Sequence, residues 1–178
     1  MKKILIIVTA GVLLLTGTLL VYQQWWSLSS IIHKYGFYKE DTITTKSLAM
    51  PDDQTYHIFL LADQHNTGIL VAEKASFGRW KATPLNSIVA ERSRSHYGTA
   101  VVPVAKFANG GVYFETHMFI AGPLNHDEGQ QIKGNADFDL SVEYYSKNGD
   151  KIMFVHAVQN ARTRSMSSVQ VLQYGQEA

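Results

Sequence analysis

Seven histidines occur in the 178-residue chain, and several have a carboxylate nearby in the sequence. Asp63 and His65 are separated by one residue in a segment typical of a hairpin tip, where two side chains could converge on a cation. A metal site needs three or four ligands, which would have to come from His96, His117 or residues 126–128. No spacing shows that these groups meet, and Asp and His are also ordinary turn residues. We therefore expect no metal and no other cofactor.

Glu115 and His117 are two residues apart on a predicted strand, so both side chains point to the same face. They could form an acid–base pair with a neighbouring strand, or they could belong to an ordinary polar sheet surface. The first interpretation leads to a membrane-tethered hydrolase or metal-dependent enzyme that uses Asp63, His65 and His117. No serine-nucleophile motif accompanies them, and Ser95 and His96 are merely adjacent in sequence.

Other classes of chemistry are excluded by composition. The chain has no cysteine, which rules out disulfides, a thiol nucleophile and cysteine-ligated zinc. Phosphate-binding glycine loops of either common spacing are missing, so nucleotide binding has no support. Residues 1–39 hold four of the 16 basic residues and none of the 15 acidic ones, leaving the remainder with a formal charge of −3. A nucleic-acid partner is therefore not expected.

The segment around Phe77, Arg79 and Trp80 is the best candidate for a recognition surface. Tryptophan and arginine are enriched at binding hot spots, and Gly78 allows the chain to turn there. The alternative is that Trp80 anchors the core beneath a turn while Arg79 points to solvent. We take Phe77, Arg79 and Trp80 as the predicted binding residues.

The amino terminus predicts a membrane helix. Lys2 and Lys3 precede residues 4–22, which carry no charge and have no polar stripe, and such a helix would span about 28 Å. A cleaved secretory signal is the competing interpretation, but the apolar stretch is long and no A-x-A site follows. Trp25 and Trp26 fit an aromatic belt at the lipid interface. The lysines favour a cytoplasmic tip at 1–3 and an extracytoplasmic carboxyl-terminal part.

The remaining chain predicts a juxtamembrane helix and linker over 23–53 and a β-rich domain over 54–178. Residues 56–62 and 69–75 suggest a hairpin, and the nearly continuous apolar run indicates a strand covered on both faces. Residues 101–105 and 112–121 form a second predicted pair. Residues 169–174 predict a last strand and 126–135 an exposed loop. Residues 84–95 predict a helix, with a short strand as the alternative.

Asn148-Gly149 is the strongest local signal, because this pair favours a two-residue type I′ turn. The turn sets the register, so that Tyr144 faces Met153 and Val142 faces Val155. Phe138, Leu140, Val142 and Tyr144 would then form an apolar face, with Asp139, Ser141, Glu143 and Tyr145 on the wet side. The second strand would be the more central one.

The fold prediction is mostly β: an amino-terminal transmembrane helix followed by one antiparallel sandwich, barrel or curved sheet with one or two short helices. Such an anchored domain without a recognisable catalytic constellation favours a single-pass cell-membrane protein. Its extracytoplasmic domain would bind a protein or cell-envelope partner as an accessory or sensory part of an envelope assembly.

Overall fold

The chain folds mainly into β-strands, preceded by two helices. The computed structural model describes residues 2–22, 26–51, 53–83, 88–91, 97–108, 111–124, 130–133, 138–159 and 170–173. The first helix, α1, runs over Lys2–Val21 and the second, α2, over Leu28–Lys34. Ser27 caps α2, since its side-chain oxygen accepts a hydrogen bond from the Ser30 N–H at 3.1 Å.

The strands build two larger antiparallel sheets and one small one. The first sheet contains β1 (Thr42–Ala49), β2 (Thr55–Ala62), β3 (Asn66–Lys74) and β4 (Trp80–Ala82) in that order, and β5 (Ile88–Glu91) also pairs with β3. The second sheet has the order β6 (Gly98–Ala108), β7 (Gly111–Pro123), β10 (Asp150–Gln159) and β9 (Phe138–Lys147). A two-stranded sheet pairs β8 (Gln130–Lys133) with β11 (Gln170–Gln173).

The two larger sheets share one hydrophobic core. Buried side chains from β2 and β3 pack against buried side chains from β6, β7 and β10; among them are Leu60, Val71, Val102, Phe119 and Phe154. Alternate residues of β2 and β3 point the other way and pack against α2, where Ile32 is fully buried. Both faces of the β2–β3 hairpin are therefore covered, as its nearly continuous apolar sequence predicted.

Three predictions about secondary structure are wrong. The polar connector preceding residue 54 contains β1, which pairs with β2, so the first sheet begins at Thr42. β1 has four consecutive polar residues at 44–47 and lies at the edge of its sheet, so its sequence resembles that of a linker. Residues 88–91 of the predicted helix instead form a strand, which confirms the alternative interpretation, because they pair with β3. Residues 130–133 of the predicted loop pair with β11.

The register of the β9–β10 hairpin is confirmed, and its predicted faces hold in part. Asp139 and Ser141 are exposed and Val142 packs into a buried cluster, as predicted, but the two tyrosines are reversed. Tyr144 pairs with Met153, and Val142 pairs with Val155. Asn148 and Gly149 both have positive φ, as a type I′ turn requires. Tyr144 is nevertheless 61% exposed, whereas Tyr145 packs against the shared core. The alternation of polar residues predicted that Glu143 and Tyr145 face solvent. The Tyr145 hydroxyl instead donates a hydrogen bond to the Glu143 carboxylate, as described below. The central position of β10 is confirmed.

The helix predicted over 4–22 is present as α1. A search of the part of the chain that the structure describes finds no helix that is both long and apolar enough to cross a membrane. The helical part of the prediction is thus confirmed, and the membrane-crossing part is not.

Candidate functional site

A chain of hydrogen-bonded ionisable side chains lies on the inner face of the second sheet. In β7, Glu115 and His117 project to the same side, and Glu115 Oε1 lies 2.7 Å from His117 Nε2. His117 Nδ1 lies 2.9 Å from Nε2 of His156 on β10. The His156 ring also stacks on Phe119, with ring centroids 4.5 Å apart. The carboxylate of Glu115 and the imidazoles of His117 and His156 thus form a continuous line that runs from β7 to β10.

The geometry fixes where protons must lie in this line. A carboxylate accepts only, so Nε2 of His117 donates to Glu115. The contact between the two histidines then needs one N–H and one lone pair, and either ring can supply the proton. His117 is only 6% exposed, and the Lys106 ammonium lies 3.8 Å from Glu115. The pair can therefore hold or pass one proton between His117 and His156.

His156 is held neutral at ordinary pH. Burial, which disfavours the imidazolium, lowers the pKa of His156 from 6.5 to about 4. The positive potentials of His117 and Lys46 add to that lowering of the pKa, and the carboxylates of Glu143 and Glu115 oppose it. A neutral imidazole has one N–H and one lone pair, so His156 can either donate or accept in its hydrogen bond with His117.

A second ion pair crosses from one sheet to the other beside the histidines. Lys46 of β1 contacts the carboxylate of Glu143 on β9, which also accepts a hydrogen bond from the Tyr145 hydroxyl. These two hydrogen bonds lower the pKa of Glu143 below its ordinary value. Burial and the Glu143 hydrogen bond raise the pKa of Tyr145 above its ordinary value. The Glu143 carboxylate therefore stays ionised at neutral pH, and its contact with Lys46 links the two sheets.

The side chains proposed as metal ligands do not form a metal centre. Within the described ranges, no group of three or more His, Asp or Glu side chains is placed to hold an ion, so Asp63, His65 and His117 do not share one. His96 and residues 126–128 lie outside the described residues. The same-face placement of Glu115 and His117 is confirmed, and their side chains are in hydrogen-bond contact.

Asp63 and His65 have a local structural role at the β2–β3 turn. Asp63 Oδ1 accepts hydrogen bonds from the backbone N–H groups of His65 and Asn66, both at 2.6 Å. Burial alone would raise the pKa of Asp63, but these hydrogen bonds outweigh it and lower the pKa below its ordinary value. This is a side-chain-stabilised turn of the kind Asp favours.

Two of the predicted recognition residues, Arg79 and Trp80, contact other aromatic side chains. Trp80 is half-buried and packs edge-on against Phe59, with ring centroids 5.7 Å apart. Arg79 is exposed, and its Cζ lies 5.4 Å from the centre of the Trp26 ring, a cation–π contact. The Tyr22 hydroxyl donates a hydrogen bond to the Gly78 carbonyl at 3.1 Å. The side chain of Phe77 lies outside what the structure describes.

A groove of about 480 Å³ opens between α2 and β4. Ile31, Lys34, Tyr35, Trp80, Lys81 and Ala82 line it. Trp80 thus packs against the buried cluster beneath α2 and also lines this groove. The groove adjoins the contacts that Gly78 and Arg79 make with the end of α1.

Sequence reasoning missed three members of the polar cluster, namely Lys46, Glu143 and His156. The sequence placed Lys46 in a linker and Glu143 on a solvent-exposed face. His156 was not singled out because it lies within a mostly apolar strand. The predicted β9–β10 register contained one usable signal. His156 and Glu143 both fall on the face opposite Val142 and Val155, so that face carries one ionisable residue on each strand.

The fold and site define a mostly β chain in which two antiparallel sheets enclose a shared core and a line of ionisable groups. No protein-family model, curated protein or solved structure matches it significantly.

Proposed function

We propose that this is a single-pass membrane protein whose β domain is an extracytoplasmic binding module, an accessory or sensory part of a cell-envelope assembly. The observation that carries the proposal is the unpartnered apolar surface of α1. From Ile6 onward its side chains are exposed, with Ile7 at 70% and Leu14 at 71%. Apolar exposure of this extent needs an apolar environment.

The flanking residues support insertion into a bilayer in one direction. Lys2 and Lys3 precede the apolar stretch, and positive charge near the end of a membrane helix favours the cytoplasmic side. At the other end, Tyr22 and Trp26 have the amphipathic rings that prefer the headgroup region. This arrangement supports an extracytoplasmic position for the β domain.

Contacts between the end of α1 and the β domain support a fixed orientation at the membrane. Tyr22 bonds to the Gly78 carbonyl and Trp26 stacks beneath Arg79, so the segment preceding β4 would face the lipid. In this arrangement the groove between α2 and β4 is the binding surface nearest the bilayer. The partner would be a protein or another component of the envelope.

Alkaline carbonate extraction tests the membrane anchor. The wild-type chain should stay in the membrane pellet, whereas Leu14→Lys with Leu15→Lys should be released, since each central lysine costs about 3 kcal/mol in the bilayer. Gln54→Lys adds a charge outside the helix and should leave the protein in the pellet. Release of the wild-type chain would refute the anchor.

Protease protection in sealed vesicles tests the orientation separately. A tag following Ala178 should be digested by protease on the extracytoplasmic side and protected from protease on the cytoplasmic side. Digestion from the cytoplasmic side alone would refute the proposed orientation while leaving the anchor intact.

Acid–base catalysis by a membrane-tethered enzyme is the second candidate function. The hydrogen-bonded line from Glu115 through His117 to His156 favours it, because a carboxylate that accepts from an imidazole can raise its basicity. Hydrolysis of a simple activated ester should fall in His117→Gln and not in His65→Gln, which removes an exposed histidine. Equal rates in both variants would eliminate this candidate.

A further inference from the structure

The hydrogen bond between His117 and His156 tolerates a proton on one of its two nitrogens and not on both. Nδ1 of His117 lies 2.9 Å from Nε2 of His156, so one of these nitrogens donates and the other accepts. An imidazolium carries an N–H group on each ring nitrogen. Protonation of both rings would therefore turn two N–H groups toward each other, and the hydrogen bond must break.

His156 is the ring that is free to turn away. His117 is only 6% exposed, and Glu115 Oε1 lies 2.7 Å from its Nε2. His156 is half-buried and is held by stacking, with its ring centroid 4.5 Å from that of Phe119 and 5.2 Å from that of His117. Two positively charged rings at this separation repel each other. A protonated His156 therefore moves while His117 stays with Glu115.

Glu143 is the carboxylate that favours the charged form of His156 most strongly, ahead of Glu115. Ser141 of β9 pairs with His156, which places Glu143 diagonal to His156 on the same face of the hairpin. Diagonal neighbours on a sheet are within reach of long side chains. Asp139, the other diagonal neighbour, is exposed to solvent. Glu143 is thus the acceptor expected for a displaced imidazolium.

The same carboxylate joins the two sheets at neutral pH. Glu143 accepts hydrogen bonds from Lys46 of β1 and from the Tyr145 hydroxyl, and both lower its pKa. It therefore remains a carboxylate in mild acid, where a displaced His156 gains its proton. Lys46 also acts on His156 directly, since its charge opposes the imidazolium. In mild acid, Lys46 and His156 compete for one carboxylate.

We propose that His156, Glu143 and Lys46 form an acid-operated latch between the two sheets. Protonation of His156 breaks its hydrogen bond with His117 and draws the Glu143 carboxylate away from Lys46, which loosens the contact between β1 and β9. Return to neutral pH restores both contacts. The latch does not require the membrane anchor, and within the proposed sensory function it makes acidity the stimulus.

Distances between spin labels on β1 and β9 test the latch in the full chain in non-ionic detergent. The chain has no cysteine, so Thr45→Cys with Ser146→Cys, both at exposed positions, provides the two labelling sites. Double electron–electron resonance should show a longer distance component that grows relative to the shorter one as the pH falls.

The expected growth follows from the preference of the open form for the proton. A pKa of about 4 in the closed form and 6.5 in the open form allows an increase of about 30-fold between about pH 7.5 and about pH 5. Because His156 is half-buried, solvent screening reduces the expected increase in the ratio of the two components to about five-fold.

Variants at both ends of the latch separate it from a general effect of acid. In His156→Phe the ratio should not change with pH, whereas His65→Gln, which removes an exposed histidine, should respond like the wild type. Glu143→Gln tests the latch independently of His156, and it should show the longer component already at neutral pH with little further change in acid. Lys46→Arg keeps the ion pair and should retain the wild-type response.

A second label pair reports on β9 alone. Leu140→Cys with Ser146→Cys places both labels on one strand, about 20 Å apart, and their distance should be the same at both pH values. A change in this pair would mean that β9 unfolds, which would overturn the latch. An unchanged ratio in the labelled wild type would also overturn it, as would an equal rise in His156→Phe. Circular dichroism at both pH values checks that each variant keeps its β structure.

Discussion

Replacing His156 with phenylalanine should reduce the loss of stability that the protein suffers in mild acid. The pKa of His156 is about 4 in the fold and 6.5 without the fold, so the unfolded chain binds more protons between these values. The free energy of unfolding must then fall as the pH falls from 6.5 to 4 and stay level below. Phenylalanine removes the titration and keeps the stacking on Phe119.

The size of the effect follows from the shift in pKa. A change from 6.5 to about 4 corresponds to about 3.4 kcal/mol at complete protonation. His156 is only half-buried, and solvent screening therefore reduces the expected difference to about 1.5 kcal/mol. By about pH 5, before most carboxylates titrate, about 1 kcal/mol of it should be expressed.

Urea unfolding of the full chain in non-ionic detergent, followed by tryptophan fluorescence at about pH 7.5 and about pH 5, measures this difference. The quantity compared is the change in unfolding free energy between the two pH values, since the variant also loses the hydrogen bond to His117. His57 has a pKa lowered by burial and by Lys74, and its contribution cancels because it is present in both proteins. His65→Gln should behave like the wild type. The same pH dependence in wild type and His156→Phe would refute the reasoning.

Three further predictions concern stability and are checked by urea unfolding at neutral pH. Leu60→Ala should cost about 3 kcal/mol because Leu60 is fully buried between the sheets, and a loss below about 1 kcal/mol would contradict that packing. Gly149→Ala should cost about 1 kcal/mol because φ is +87° there, whereas alanine at the exposed Ser146 should change little. Gly122→Ala should cost about 2 kcal/mol because a Cβ would overlap the Tyr97 ring. Combining it with Tyr97→Ala should cost less than the sum of the two single losses. Strictly additive losses would show that the overlap is relieved elsewhere.

Local signals in the sequence predicted the hairpins. Asn148-Gly149 set the β9–β10 register because few residue pairs adopt two consecutive positive φ angles. The apolar run from Ile58 to Ala62 identified a strand with both faces covered. Ile31 and Ile32 marked the buried side of α2. In each case the residues that carry the signal lie close together in the chain.

Long-range pairing could not be predicted in the same way. Glu143 had the alternation of a solvent-exposed face, and its partner Lys46 lies on a different sheet, 97 residues away. His156 meets His117 only because β10 pairs with β7, an order that no local pattern specifies. The 84–95 segment shows the same limit, since residues 88–91 become a strand through pairing with β3.

Side-chain pairs join the two sheets where β1 and β9 come together. Lys46 contacts Glu143, Thr44 bonds with Tyr145, and Lys147 donates to Asp41 at 3.2 Å. In the described part of the chain, β1 and β9 are the last strands on this side of their sheets. Charged residues there hinder the docking of a strand from another molecule. Copies of the chain at high local concentration would therefore lie side by side without merging into an intermolecular sheet.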